Sequence, residues 1–225
     1  MRDLFRDRIE AGQLLARELR RYANEANVIV LGLPRGGVPV AFEVAKALRA
    51  PLDVFIVRKL GTPGNRELAM GAIATGGVRV LNREVVAGLG IPMKVIDAVT
   101  AEEERELKRR ELAYRGSYSE PEVRGRTVIL IDDGIATGST MRAGVRALRA
   151  PHPGRLIVAV PTVAGSTYRQ LRPEVDELVA LMTPEPFFGV GQWYQDFSQT
   201  SDAEVTDLIE RARSFTASTQ SPGHA

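Results

Sequence analysis

Ile131-Asp132-Asp133-Gly134-Ile135-Ala136-Thr137-Gly138-Ser139-Thr140 follows the apolar run Val128-Ile129-Leu130 without a break, and its reading decides the fold. A short apolar run that enters acidic residues and then small ones, with an alternating apolar and basic pattern resuming at Met141, predicts strand, turn and helix. Thr137, Gly138, Ser139 and Thr140 bring small side chains and hydroxyls to the start of that helix, where unpaired backbone N–H groups and the positive end of the helix dipole favour a phosphate. Asp132 and Asp133 would repel a phosphate they faced directly, and fit better as acceptors for the vicinal hydroxyls of a sugar that carries one. The stretch therefore reads as a cradle for ribose 5-phosphate. A nucleotide-hydrolase P-loop is excluded, because it requires Lys after the second Gly and Ser139 follows Gly138 here.

Working outward on the N-terminal side, Val28-Ile29-Val30-Leu31 predicts a buried parallel strand. It runs into Gly32-Leu33-Pro34-Arg35-Gly36-Gly37-Val38-Pro39 and a helix through Arg49. The glycine pair Gly36-Gly37 lets backbone approach a ligand closely, and Arg35 offers a permanently charged fork, so this loop is a second candidate anion site. Pro34 occupies the second glycine position of the dinucleotide fingerprint and rules that reading out. Leu52 to Val57 predicts another strand, delivering Arg58-Lys59 at its end beside that loop. Gly61 to Glu67 is rich in Gly, Pro and Asn, which disfavours regular structure and predicts a mobile loop. Leu68 to Ala74 and Val78 to Leu81 read as strands of a hairpin joined by Thr75-Gly76-Gly77.

Around this centre, residues 8–22 predict an amphipathic helix and residues 94–115 a long charged one, with Glu104–Lys108 and Glu106–Arg110 as favourable pairs. Leu156 to Val160 and Glu177 to Met182 predict two further strands. Phe187, Phe188, Trp193, Tyr194 and Phe197 form an aromatic cluster suited either to stacking a planar base or, as the favoured reading, to packing and an oligomer interface. Alternating strands and helices imply an α/β fold: a Rossmann-like open, mainly parallel sheet of about five strands with helices on both faces.

The decapeptide resembles the phosphoribosyl pyrophosphate (PRPP) motif of type I phosphoribosyltransferases, and the resemblance extends from about Val28 to Met182. It implies that Asp132 and Asp133 meet the ribose hydroxyls and that Ala136, Thr137, Gly138, Ser139 and Thr140 wrap the 5-phosphate. It further implies that Arg35, Gly36, Gly37, Arg58 and Lys59 receive pyrophosphate, with Arg66 and Glu67 carried on a closing hood loop. Asp132, Asp133, Arg35, Lys59 and Glu67 are thus the implied catalytic set, with no protein metal site and with Mg2+ carried mainly by PRPP and water. The resemblance implies one domain over residues 1–215, with a flexible loop and hood hairpin at 61–90 and a C-terminal hood segment at 183–200. Residues 216–225 are expected to be a disordered tail. Hypoxanthine-guanine members carry an Asp where this chain has Ala136, so a base other than a 6-oxopurine is the expected acceptor.

Composition bounds the rest. The chain has 225 residues, 44% hydrophobic and 26% charged, enough for one sizeable core. Its formal net charge is +2, far from the dense basic stripe of a nucleic-acid binder. It has no Cys, which excludes disulfides and thiolate chemistry. No apolar run is long enough for a membrane span, and Met1 to Asp7 is too charged for a signal peptide, so a cytoplasmic location is expected. The expected partners are PRPP and a small nitrogenous acceptor, with a homodimer as one assembly the aromatic cluster would suit. A PRPP-sensing regulator of the same fold without transfer activity is the alternative to the enzyme.

Overall fold

A computed structural model describes residues 4–116, 118 and 120–217, apart from the side chains of Arg66, Glu67, Thr216 and Ala217. The chain opens with helix α1 (Arg8–Glu18), capped by the Asp7 carboxylate accepting from the Glu10 N–H, and a 3-10 turn at Arg20–Tyr22. Strand β1 (Val28–Gly32), helix α2 (Gly37–Leu48) and strand β2 (Leu52–Val54) follow. Strands β3 (Val57–Thr62), β4 (Asn65–Ala74) and β5 (Val78–Leu81) then form a separate antiparallel sheet. Helices α3 (Arg83–Gly88) and α4 (Met93–Arg115) lead back to β6 (Thr127–Ile131), α5 (Ser139–Arg149), β7 (Arg155–Thr162), α6 (Gly165–Leu171) and β8 (Glu177–Met182). Helix α7 (Asp202–Ala217) completes the described chain.

The main sheet has the order β2-β1-β6-β7-β8 and is parallel throughout. Its strands are apolar on both faces because both are covered. Val28 and Val30 enter one core with Leu15, Val44, Leu107 and Ile209, whereas Ile29 and Leu31 enter the other with Val145, Leu148 and Leu171. Each such buried Leu, Ile or Val contributes about 1.5–3 kcal/mol relative to an exposed one. Close packing of α1 on α2 depends on Gly12, where a Cβ would come within 2.8 Å of the Val40 carbonyl oxygen. Helix α4 is fixed to the sheet edge by Arg115, whose Nε donates to Asp53 at 2.9 Å and whose Nη2 donates to the Val54 carbonyl at 2.7 Å.

The expected α/β architecture is present, with a five-stranded parallel sheet and a three-stranded hood. Two local expectations need correction, and one helix was not anticipated. The strand beginning at Leu52 stops at Val54, and Arg58 and Lys59 lie inside β3. Gly61 to Asn65 is the end of a β-hairpin, with Thr62 paired to Asn65 around a Pro63-Gly64 turn, although register irregularities flank Gly61. Two-residue turns tolerate Pro and Gly, and Gly64 supplies the required positive φ of 79°. Helix α7 has no counterpart in the sequence reading. Its buried Val205, Leu208, Ile209 and Ala212 do follow helical spacing, and it packs against α2 and α4. The expected Glu106–Arg110 pair is formed at 2.8 Å. Most of the expected tail, residues 218–225, lies outside the described residues.

Candidate functional site

The chain runs from β1 outward to β2 and later from β6 outward to β8, so the strand order reverses between β1 and β6. Loops leaving the carboxyl ends of two such strands diverge and open a crevice for ligand. Gly32 at the end of β1 is in register with Ile131 at the end of β6, which sets the Arg35 loop directly against the Asp132-Asp133 loop. The approach is close enough to exclude side chains. A Cβ on Gly37 would lie 2.8 Å from the Asp132 Cα, and one on Gly36 would overlap Asp133 Oδ2 and lie 2.7 Å from its Cγ.

Beyond Asp133 the chain forms a cradle of about 230 Å³ lined by Gly134 through Met141 together with Asp132 and Val190. Its outer rim is pinned to β7 and α6. The Ile135 N–H donates to the Thr162 carbonyl at 2.9 Å, and the Thr167 hydroxyl donates to the Ala136 carbonyl at 2.5 Å. Gly138, with φ 74°, turns the chain into α5, whose N-terminus has no side-chain cap. Thr137, Ser139 and Thr140 stay exposed there. The uncapped N–H groups, the hydroxyls and the helix dipole give this cradle the chemistry of a phosphate site.

The acidic pair is divided by its surroundings. Asp132 lines the cradle, and its Oδ1 accepts from the Asp133 N–H at 2.9 Å. Burial pushes its carboxyl well above the usual carboxylate range, and the negative charge of Asp133 acts in the same direction. Asp133 is turned away from the cradle toward α1. Its Oδ2 accepts from Arg8 Nε at 2.8 Å and pairs with Arg8 Nη2 at 2.8 Å, while its carbonyl accepts from the Tyr194 hydroxyl at 2.6 Å. Burial also raises the Asp133 carboxyl, and the Arg8 charge opposes that shift. In this structure an arginine of α1 holds the Asp133 carboxylate, while the Asp132 carboxylate lines the cradle. Arg8 and Tyr194 had no motif to mark them, since their partners are 125 and 61 positions away.

The predicted cations are dispersed more widely than expected. Arg35 stands at the mouth of its loop, half-exposed, 3.8 Å from Asp202 at the start of α7. Asp202 also accepts from the buried Tyr114 hydroxyl at 2.7 Å; burial and then that hydrogen bond push the phenol up to about 12. Arg58 and Lys59, although strand neighbours, both line a cleft between β3, α4 and Thr140 at the start of α5. Arg58 is paired with Glu103 of α4, at 2.7 Å from Nε and 2.5 Å from Nη2. Lys59 faces the cleft between hood and α5, beside Ser139 and Arg142. The side chains of Arg66 and Glu67 lie outside the described residues. The aromatic cluster is mixed: Tyr194 is buried against Phe5 and Phe197, whereas Phe188 is 86% exposed.

With this geometry in place, comparison with known proteins is informative. The family model for the phosphoribosyl transferase domain matches residues 6–182. Two curated proteins of Mycobacterium tuberculosis, both provisionally named phosphoribosyl transferases, are 48% identical over 209 residues, covering 93% of this chain and 47% of their own. The chain thus spans about half the length of the curated relatives it matches. A crystal structure of the protein TT1426 from Thermus thermophilus superposes with a TM-score of 0.83 at 40% identity, covering 92% of this chain and 98% of that one. Among the described residues no helix is long and apolar enough to cross a membrane.

Proposed function

This chain belongs to the phosphoribosyl transferase domain family, and on that premise we propose that it moves the 5-phosphoribosyl group of PRPP to a small nitrogenous base and releases pyrophosphate. The observation that carries the proposal is the uncapped start of α5 opening onto the same cradle as Asp132, with the Arg35 loop in contact beside it. That arrangement supplies donors for the 5-phosphate, an acceptor for ribose hydroxyls and a cation for the opposite end of the ligand.

Displacement at the anomeric carbon develops positive charge on the ribose ring while negative charge grows on the departing pyrophosphate. Asp132 orients the ring through its hydroxyls and favours the cationic ring electrostatically. Arg35 stabilises the departing phosphates, and Lys59 joins it if the hood closes over the donor. Among the described residues there is no group of three or more His, Asp or Glu able to hold a metal ion. A Mg2+ would be held by oxygens of the donor and by water, with Asp132 as the adjoining protein oxygen, and it would neutralise pyrophosphate charge. Ala136 offers no carboxylate to share a purine N7 proton, which favours a base other than hypoxanthine or guanine.

Pyrophosphate release should be measured with PRPP, Mg2+ and a panel of nucleobases, alongside calorimetry of PRPP alone. Binding with base-dependent release supports the transferase. Binding with no release from any base would favour the donor-sensing alternative, and absence of PRPP binding would refute both.

A further inference from the structure

Helix α7 begins at Asp202, beyond residue 182 where the family match ends, yet its first side chain reaches the mouth of the Arg35 loop. Asp202 Oδ1 lies 3.8 Å from Arg35 Nη1, and among the described residues it is the one carboxylate that pairs with this guanidinium. The same oxygen accepts from the hydroxyl of the buried Tyr114 of α4 at 2.7 Å, which anchors the carboxylate. The backbone beneath it is fastened too. The Thr206 hydroxyl shares its proton between the Asp202 carbonyl at 3.0 Å and the Ala113 carbonyl at 3.3 Å, while Val205, Leu208, Ile209 and Ala212 bury the helix. Arg35, by contrast, is carried on a loop and its side chain is 36% exposed, so the guanidinium can swing while the carboxylate stays.

Resting on the function proposed above, we infer that Asp202 is a positioning residue that competes with pyrophosphate for Arg35. The pair is longer than a hydrogen bond and the Asp202 side chain is 56% exposed, so water screens it. A phosphate group offers the guanidinium shorter, charge-assisted and bidentate contacts, and takes it from Asp202. The carboxylate remains where Tyr114 and α7 hold it, and its charge then opposes the anion across the same guanidinium. Binding of the leaving group is weakened by about two- to fivefold, the range that an exposed ion pair supplies. A transferase must discharge pyrophosphate in every cycle, and a cation that held it too firmly would slow that step. The cradle at the start of α5 belongs to the other loop and Asp202 does not line it, so the effect falls on one end of the ligand only.

Calorimetry with pyrophosphate and, separately, ribose 5-phosphate, each with Mg2+, tests this at about 20 mM and about 500 mM salt, where screening is weak and strong. The proteins to compare are wild type, Asp202→Asn, Asp202→Ala, Arg35→Met and the Arg35→Met/Asp202→Asn double variant. Asp202→Asn keeps an oxygen for the Tyr114 hydroxyl and loses the charge. It should tighten pyrophosphate about two- to fivefold at low salt and less than about twofold at high salt, with ribose 5-phosphate held within about twofold throughout. Asp202→Ala should tighten pyrophosphate as much while lowering the melting temperature, because it takes away the Tyr114 acceptor; a residue that only braced the fold would lose stability and affinity together. In the Arg35→Met background, Asp202→Asn should change pyrophosphate affinity by much less than it does in wild type.

Pyrophosphate affinity that is unchanged or weaker in folded Asp202→Asn would overturn the inference. So would an equal gain in the Arg35→Met background, since Asp202 would then act on the anion without Arg35. The reaction itself is judged by base-dependent release of pyrophosphate from PRPP. Tightening in Asp202→Asn with no release from any base removes the transferase and leaves the inference standing, whereas release without tightening does the reverse. Wild type that binds no pyrophosphate refutes the inference whatever PRPP does.

Discussion

Replacing Gly36 by Ala puts a methyl group where the Asp133 carboxylate lies, 2.7 Å from Cγ and 3.2 Å from Arg8 Nε. Carbon atoms pack at about 3.5–4.0 Å, so either the carboxylate or the loop must retreat by roughly 0.8 Å. Retreat of the carboxylate stretches both 2.8 Å contacts from Arg8 beyond hydrogen-bonding range. The loss of a charge-assisted hydrogen bond in a buried pair costs about 1.5–3 kcal/mol, and overpacking costs a further 1–3 kcal/mol or so. Together these come to about 2.5–6 kcal/mol, or roughly 5–24 °C in melting temperature for a domain of this size. Gly88→Ala is the matched control: nothing lies within 4 Å of its Cβ position, and it ends helix α3, so the substitution should leave stability unchanged or raise it by about 0.4–1 kcal/mol. Thermal unfolding followed by circular dichroism reads both variants. Combining Gly36→Ala with Asp133→Ala removes the atoms in conflict and should cost less than the sum of the single changes. A Gly36→Ala protein melting within about 2 °C of wild type would refute the close-contact argument, because it would mean the loop accommodates the methyl at less than about 1 kcal/mol.

Asp132→Asn should stabilise the ligand-free protein at neutral pH while weakening PRPP binding. Between the ordinary carboxylate pKa and the raised folded value only the folded chain holds the proton, so stability falls as pH rises through that window, and the amide removes this loss; melting temperatures across pH and calorimetry check both halves. Tyr194→Phe deletes the donor to the Asp133 carbonyl and should lower stability by about 1–3 kcal/mol in denaturant unfolding, the cost of leaving a buried acceptor unpaired. Shortening the hairpin tip at Pro63-Gly64 should reduce pyrophosphate release more than PRPP affinity, because a hood acts on the closed state; equal losses in kcat and PRPP affinity would count against closure.

The sheet and the cradle were legible because their signals are local. Val128 to Ile131 is apolar on both faces, as a covered parallel strand must be, and Gly138 follows Thr137 where the backbone needs a positive φ to enter α5. The juxtaposition of the Arg35 and Asp132 loops follows from the observed strand order, in which β1 and β6 are neighbours. Residues whose role depends on a distant partner were not legible. Arg8 looks like one more charge on an amphipathic helix until Asp133 is brought beside it. Arg58 reads as an unpaired cation in the sequence because nothing in its neighbourhood announces Glu103. The Gly61 to Asn65 stretch misled because the same residues that break regular structure also make the tight turn of a hairpin.

Phe5 pairs with Tyr194 as an isolated parallel bridge, next to the point where Arg8 meets Ser198. During synthesis, helix α1 leaves the ribosome before the sheet strands that follow it and can dock on α2 through Gly12 while β6 to β8 are still unmade. Its anchor at the site waits for β6, and its clamp for the segment near residue 198. Contacts between such remote segments form late, after the loop-closure entropy has been met by nearer ones. A nascent chain halted after α5 would hold the decapeptide without Tyr194, Phe197 or Ser198 to fasten it. The arrangement of charges at the cradle is therefore completed only once the segment through residue 198 has been made and folded back onto α1.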